Sequence, residues 1–146
     1  MEVVRGVKPP VWYWIVAVLA LLWALAGCFA FVTQMTMGAA ELARLPAAQR
    51  EIWEAMPGWV EGAYAVAVGA GLLGSAALLL RRRWAWELFA LSLAGIVVQF
   101  GWTFLATPIL GTLGPAAAVP FPAIIAIVCI AEIVFARMAA ARGWLS

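Results

Sequence analysis

The residue in this sequence best placed to do chemistry is Glu132, a carboxylate inside the long apolar run Phe121 to Ala141. Counting about 1.5 Å per helical residue from Phe121 sets it roughly 16 Å along, near the middle of a bilayer core about 30 Å thick. A charged group at that depth costs about 2.5–3.5 kcal/mol on insertion scales. Glu132 must therefore be neutral or face a partner inside a bundle. Arg137, five residues on, does not share its helix face; Gln99, Ser92 and the Trp23 indole N–H are better candidates. The chemistry on offer is a proton or cation site, with Gln99 as its second polar member. A structural hydrogen bond or a contact to another subunit is the competing reading.

A second set of polar residues gathers near the other ends of the same runs. Thr33, Gln34 and Thr36 close the first run, Glu61 and Tyr64 open the second, and Gln99, Trp102 and Thr103 approach the end of the third. Alternating chain direction brings them to similar depth, where they could line a pocket open to the outside. The alternative is interhelical hydrogen bonding, at about 1–2 kcal/mol for each bond at best. Met35 and Met37 flank this group but are too few for a soft-metal site. A third set, Arg81, Arg82 and Arg83, suits anionic lipid headgroups and fixes orientation. Glu87 lies four residues beyond Arg83 and can pair with it along a helix.

Other chemistry is poorly supplied. The sequence has no His and no Asp, so the commonest general base and the commonest zinc ligand are missing. No phosphate-cradling glycine loop, metal-ligand spacing or nucleophile with its base can be found. The expectation is no enzyme, no metal and no cofactor. Cys28 and Cys129 lie in apolar runs and read as small buried hydrophobes rather than a disulfide or metal pair. A net charge of +2 gives no footprint for nucleic acid.

The elements that must position these residues follow from composition. Of 146 residues, 67% are hydrophobic and 11% charged, whereas a soluble domain is about half apolar and about a quarter charged. Lipid must be part of the solvent. Four runs, about 11–37, 60–80, 84–107 and 121–141, are long enough to cross a bilayer. The expected fold is all-α: a polytopic membrane protein in which residues 1–146 form one four-transmembrane-helix bundle.

Arg5, Lys8, Arg81, Arg82, Arg83, Arg137 and Arg142 fall on one side of those spans, against Arg44 and Arg50 on the other. That bias predicts cytoplasmic N- and C-termini. Trp12, Tyr13, Trp14, Trp84, Trp86 and Trp144 would belt the cytoplasmic interface, with Trp53 and Trp59 at the outer one. Leu25-Ala26-Gly27-Cys28 also matches a bacterial lipoprotein processing box, but the apolar run continues through Phe29-Ala-Phe-Val32, which favours an uninterrupted span.

In the first external loop, Leu42, Leu45, Ile52, Trp53 and Met56 recur at helical spacing opposite charged residues. They predict a short amphipathic helix, with Pro46 at the start of a fresh segment. It would lie on the membrane surface or cap the bundle. The second external loop, Thr107 to Pro122, is apolar, uncharged and rich in glycine and proline; it would sit in the interface or dip into the bundle. Small residues form helix-packing seams: Ala17, Ala20, Ala24 and Gly27; Ala67, Gly71 and Ser75; Ser92, Gly95 and Gln99. These close the bundle, or in part meet a second copy.

The stretches Pro10-Val-Trp-Tyr-Trp-Ile-Val-Ala-Val-Leu-Ala-Leu-Leu-Trp, Phe31-Val-Thr-Gln-Met-Thr-Met, Leu45-Pro-Ala-Ala-Gln-Arg, Pro57-Gly-Trp59, Leu79-Leu-Arg-Arg-Arg-Trp-Ala and Phe89-Ala-Leu-Ser-Leu-Ala-Gly, with Gln99, resemble a family of small bacterial four-helix inner-membrane proteins. Members of that family often carry a sugar-transporter label. The resemblance runs from about Pro9 to Thr107, and helix 4 is similar in hydropathy alone. It implies four spans and a bacterial inner membrane, and it transfers no catalytic or binding residue.

Two functions are therefore expected in order. The first is a non-catalytic accessory or assembly subunit of a larger membrane complex, with lipids, other membrane subunits or itself as partners. The second is a homo-oligomeric small-solute or proton-coupled transporter, with Glu132 binding the coupling ion and Gln34, Gln99 and Trp102 meeting solute.

Overall fold

A computed structural model of the chain describes residues 8–106, 114, 116 and 119–145. Its elements are α1 (Val11–Met35), the single turn α2 (Ala39–Ala43), α3 (Ala47–Ala55), α4 (Gly58–Leu79), α5 (Ala85–Ala106) and α6 (Pro120–Ala141). The helices α1, α4, α5 and α6 are each long and apolar enough to cross a bilayer. The protein is an all-α, multi-pass membrane protein in contact with lipid, and each span ends within two residues of its expected boundary. Helix α1 runs unbroken through Cys28, as a span would. Arg5 and the loop 107–113 lie outside the described residues.

Proline starts the helices. Pro10, Pro46 and Pro57 stand immediately before α1, α3 and α4, and Pro120 opens α6. A first-turn amide has no intrahelical acceptor, so proline forfeits nothing there. Two helices stop by the same device at one end of the bundle. After α4, Arg81 takes a left-handed φ of 58° and the Arg82 N–H reaches back to the Ala77 carbonyl at 2.8 Å. After α6, Gly143 has φ 78° and the Trp144 N–H bonds the Ala139 carbonyl at 2.9 Å. Both are Schellman turns, which satisfy helix-end carbonyls. Glycine is the usual residue at such a position, and Arg81 is the unusual one.

Helix α4 packs between α1 and α5, and α5 packs against α6. The small-residue seams are absorbed in these contacts. Ala17, Ala20 and Ala24 of α1, and Ala67, Ala70, Gly74 and Ser75 of α4, are all buried. A Cβ on Gly95 would stand 2.7 Å from the Ala63 carbonyl oxygen and 2.9 Å from the Ala67 nitrogen, so α5 meets α4 there backbone to backbone. The fourth side, α1 against α6, has no comparable backbone approach; it closes through side chains near the two Schellman turns. We call that the basic end.

The opposite end is covered by α3. Ile52 and Met56 are buried with Val60 beneath them, and Trp53 and Trp102 pack against the group. Of the two expected placements for the amphipathic helix, the cap over the bundle is the one observed.

Candidate functional site

Glu132 lies twelve residues into the 22-residue helix α6, about 18 Å along it at roughly 1.5 Å per residue. Cys129, Ala136 and Ala139 are the buried residues of this helix. At three before, four after and seven after, they put Glu132 on the inward face. The side chain is half-buried, and among the described residues no charged group acts on it.

The neighbours fix which way the inward face turns. Phe135, three residues on and therefore on the same side of α6, stacks on Tyr13 of α1 at 5.5 Å and meets the Trp12 ring edge-on at 5.9 Å. Arg137, on another side of α6, holds its guanidinium 5.1 Å from the Trp86 ring of α5. Glu132 thus lies on the face of α6 between Phe135, which meets α1, and Cys129, which meets α5, one helical turn from the Tyr13–Phe135 stack.

That stack belongs to a plug. Trp144 packs edge-on to both Trp12 and Tyr13, at 5.3 and 5.9 Å. Tyr13 donates its hydroxyl hydrogen to the Leu78 carbonyl of α4. Arg81 donates from Nε to the Trp144 carbonyl at 2.9 Å, tying the two Schellman turns together. Tyr13, Trp144 and Leu145 are buried, so the plug shuts the basic end of the bundle.

Beyond the plug, α1 and α6 carry exposed apolar side chains. The line on α1 that begins at Trp12 continues at Val16, Leu19 and Trp23 by helical spacing. Leu19 is 59% exposed and Trp23 40%. The matching line on α6 runs from Phe135 through Val128 to Ile124 and Phe121, the last two 50% and 66% exposed. Both lines are apolar. Ser92 donates to the Ala67 carbonyl at 2.6 Å, beside Cys129, which donates to the Phe89 carbonyl at 3.2 Å.

Several expected placements change. Gln99 is buried but is not the partner of Glu132. The Cys129–Phe89 bond sets the register of α5 against α6, and Gln99 stands ten residues beyond Phe89, about 15 Å along the helix. Ser92 uses its hydroxyl on α4. Trp23 does line the Glu132 side, but about two turns farther out.

The outer polar group does not assemble as one pocket. Thr33 faces outward and donates to its own helix at the Phe29 carbonyl, 2.8 Å away. Thr103 donates to the Gln99 carbonyl at 3.0 Å. Tyr64 instead joins an aromatic trio, 4.9 Å from Phe31 and 6.3 Å from Trp53. Trp102 sits beneath α3, while Glu61 is half-buried in the first turn of α4. Gln34 is half-buried with an Oε1 that has no hydrogen-bond partner.

At the basic end, Arg82 and Arg83 are exposed, as headgroup ligands should be, whereas half-buried Arg81 is a structural tie. Glu87 and Arg83 are both exposed and form no ion pair between them. Tyr13 and Trp144 are buried in the plug rather than placed in an interfacial belt; Trp12, Trp14 and Trp84 are exposed. The two cysteines are free, with Cys28 donating to the Val68 carbonyl at 3.5 Å. Comparison with protein-family models, with curated proteins and with solved structures finds no match to this chain.

Proposed function

We propose that this chain is a non-catalytic membrane carrier for a small solute, moved with or against a proton, in which Glu132 is the binding and coupling group. The observation that carries the reading is Glu132 itself: a carboxylate halfway along α6, on its inward face, with no ion pair or hydrogen bond among the described residues. It stands one helical turn from the aromatic plug at the basic end. An ionisable side chain kept at that depth costs stability, and no structural partner for it is described that would offset this. The small-residue seams, which favoured an accessory role, are occupied inside the bundle and so lend that role less support. The resemblance to small bacterial inner-membrane proteins labelled as sugar transporters agrees with a carrier and with that membrane, and the Lys and Arg bias agrees with cytoplasmic termini. Four helices enclose little, so the working unit is a homo-oligomer.

Purified protein in liposomes, given an imposed pH gradient and a panel of labelled neutral sugars and organic amines, tests this. At least one solute should accumulate, and Glu132→Gln, folded normally by circular dichroism and gel filtration, should abolish it. No accumulation of any solute, or accumulation indifferent to Glu132→Gln, rejects the carrier.

The accessory-subunit reading retains one specific support. The exposed apolar side chains of α1 and α6 offer a face to a transmembrane helix of another protein. Native mass measurement after gentle extraction separates the two: a stoichiometric complex with a different chain favours the subunit, and a homo-oligomer favours the carrier.

A further inference from the structure

We infer that the basic end holds an anionic lipid carrying two phosphates, with the Arg82–Arg83 pair on one phosphate and Arg142 on the other. This goes beyond the carrier reading and does not depend on it.

Chain segments far apart in sequence meet at this end. Arg81 donates from Nε to the Trp144 carbonyl at 2.9 Å, so one arginine side chain and one hydrogen bond separate the turn after α4 from the turn after α6. Trp12, at the start of α1, packs 5.3 Å from the Trp144 ring. The corner is held from inside, since Trp144 and Leu145 are buried and each turn is closed by its own backbone bond. Arg82 and Arg83 follow the tie on one side, and Arg142 stands two residues before it on the other.

These three arginines are exposed, and none of their guanidinium groups has an ion pair or a hydrogen bond among the described residues. The Arg142 guanidinium stands 5.3 Å from the centre of the Trp144 ring, which holds it in place and occupies none of its N–H donors. Glu87, the one carboxylate side chain near this end among the described residues, is exposed and pairs with none of them. A guanidinium presents its donors in a planar fork that suits phosphate oxygens. The corner therefore offers unmet phosphate-binding groups on two turns in a fixed relation.

Location decides where the phosphate comes from. Trp12, Trp14 and Trp84 are exposed near the same span ends, and tryptophans so placed sit at the headgroup level of a bilayer. Val11 and Leu80, at the ends of α1 and α4, are 77% and 68% exposed and suit acyl chains. A soluble phosphate would meet the arginines and leave that apolar surface uncovered. Basic sites between span ends are suited to headgroups with more than one phosphate. A lipid with one phosphate meets one turn at a time. When two phosphates are joined, the second contact becomes intramolecular and is favoured by effective concentration.

The test uses the full chain in neutral detergent micelles. Tetraoleoyl cardiolipin and dioleoylphosphatidylglycerol are supplied at equal total phosphate, and bound lipid is read by native mass spectrometry. Wild-type protein should retain a single cardiolipin, several-fold in preference to phosphatidylglycerol. Arg142→Gln should weaken cardiolipin retention about tenfold, as expected for loss of one charge-assisted contact, and bring it to the phosphatidylglycerol level. The double variant Arg82→Gln, Arg83→Gln should do the same. Arg44→Gln, at an exposed residue of the opposite end, should leave it unchanged. The altered side chains are exposed, and an unchanged thermal midpoint in lipid-free micelles checks that each variant is folded. Equal retention of the two lipids by wild-type protein, cardiolipin retention that survives both basic-end variants, or an equal fall in Arg44→Gln overturns the inference. Displacement of cardiolipin by excess inorganic pyrophosphate would assign the corner to a soluble phosphate and also reject the lipid.

Discussion

At the residue scale the bundle is decided by where a side chain is missing. A methyl group on Gly95 would press on the Ala63 carbonyl and the Ala67 backbone nitrogen at 2.7 and 2.9 Å. Backbone in the middle of α4 cannot step aside as a flexible side chain can. Gly→Ala normally helps a helix by up to about 1 kcal/mol, and overpacking a tight contact costs about 1–3 kcal/mol. The clash therefore wins: Gly95→Ala should lower the thermal midpoint in detergent. Gly69, on the same helix α4, has nothing within 4 Å of its would-be Cβ, so Gly69→Ala should leave the midpoint unchanged or raise it. Equal effects at the two positions would show that α4 and α5 do not meet as described. Glu132 is the opposite kind of residue, destabilising by its presence, and that contrast makes it worth assigning a task.

At the element scale the ends of α4 and α6 work as a pair. Arg81 occupies a left-handed conformation that costs a residue with a Cβ about 1 kcal/mol, and it gains a hydrogen bond from its Nε to the Trp144 carbonyl. The two effects can be separated. Arg81→Ala loses the bond and keeps the backbone cost, whereas Arg81→Gly loses the bond and relieves it. Arg81→Gly should thus be the more stable variant by about 1 kcal/mol, read from denaturation in mixed micelles; a less stable glycine variant would mean that the turn is not left-handed. This tie was not legible in the sequence. Three consecutive arginines beside a span read as headgroup anchors. Tyr13 and Trp144 were misplaced for a related reason: an aromatic near a helix end has the same sequence context whether it lies in an interfacial belt or folds over the bundle. The spans themselves were legible, because runs of this length and apolarity have few other uses and proline marks their starts. Glu132 was legible by depth. Its surroundings were not, since the register of α5 and α1 against α6 depends on packing that no single helix encodes.

At the scale of the whole molecule, orientation gives the plug its direction. The basic end carries the Arg81–Arg83 turn and the Arg137 and Arg142 side chains, while the end capped by α3 carries Arg44 and Arg50 among Glu41, Glu51, Glu54 and Glu61. Lys and Arg near span ends are retained on the cytoplasmic side. The aromatic plug should therefore face the cytoplasm, and α3 should lie outside. Fluorescent-protein fusions to either terminus should fluoresce in cells, and alkaline phosphatase fused at either should be inactive. Phosphatase inserted between α2 and α3, after Arg44, should be active. Termini on opposite sides would contradict four spans. Termini both outside would keep the four spans and place the plug at the outer face and α3 at the cytoplasmic one. The direction matters for the carrier, because a solute held at Glu132 has to pass the Tyr13–Phe135–Trp144 stack to be delivered inward. Tyr13→Phe, which removes the hydroxyl bonded to the Leu78 carbonyl and leaves the ring, should loosen that stack at a cost of about 0.5–1.5 kcal/mol. In proteoliposomes it should change the rate of Glu132-dependent uptake while leaving affinity for the same solute in nanodiscs unaltered. A fall in affinity with no change in rate would place the tyrosine in the binding site and leave the plug no part in passage.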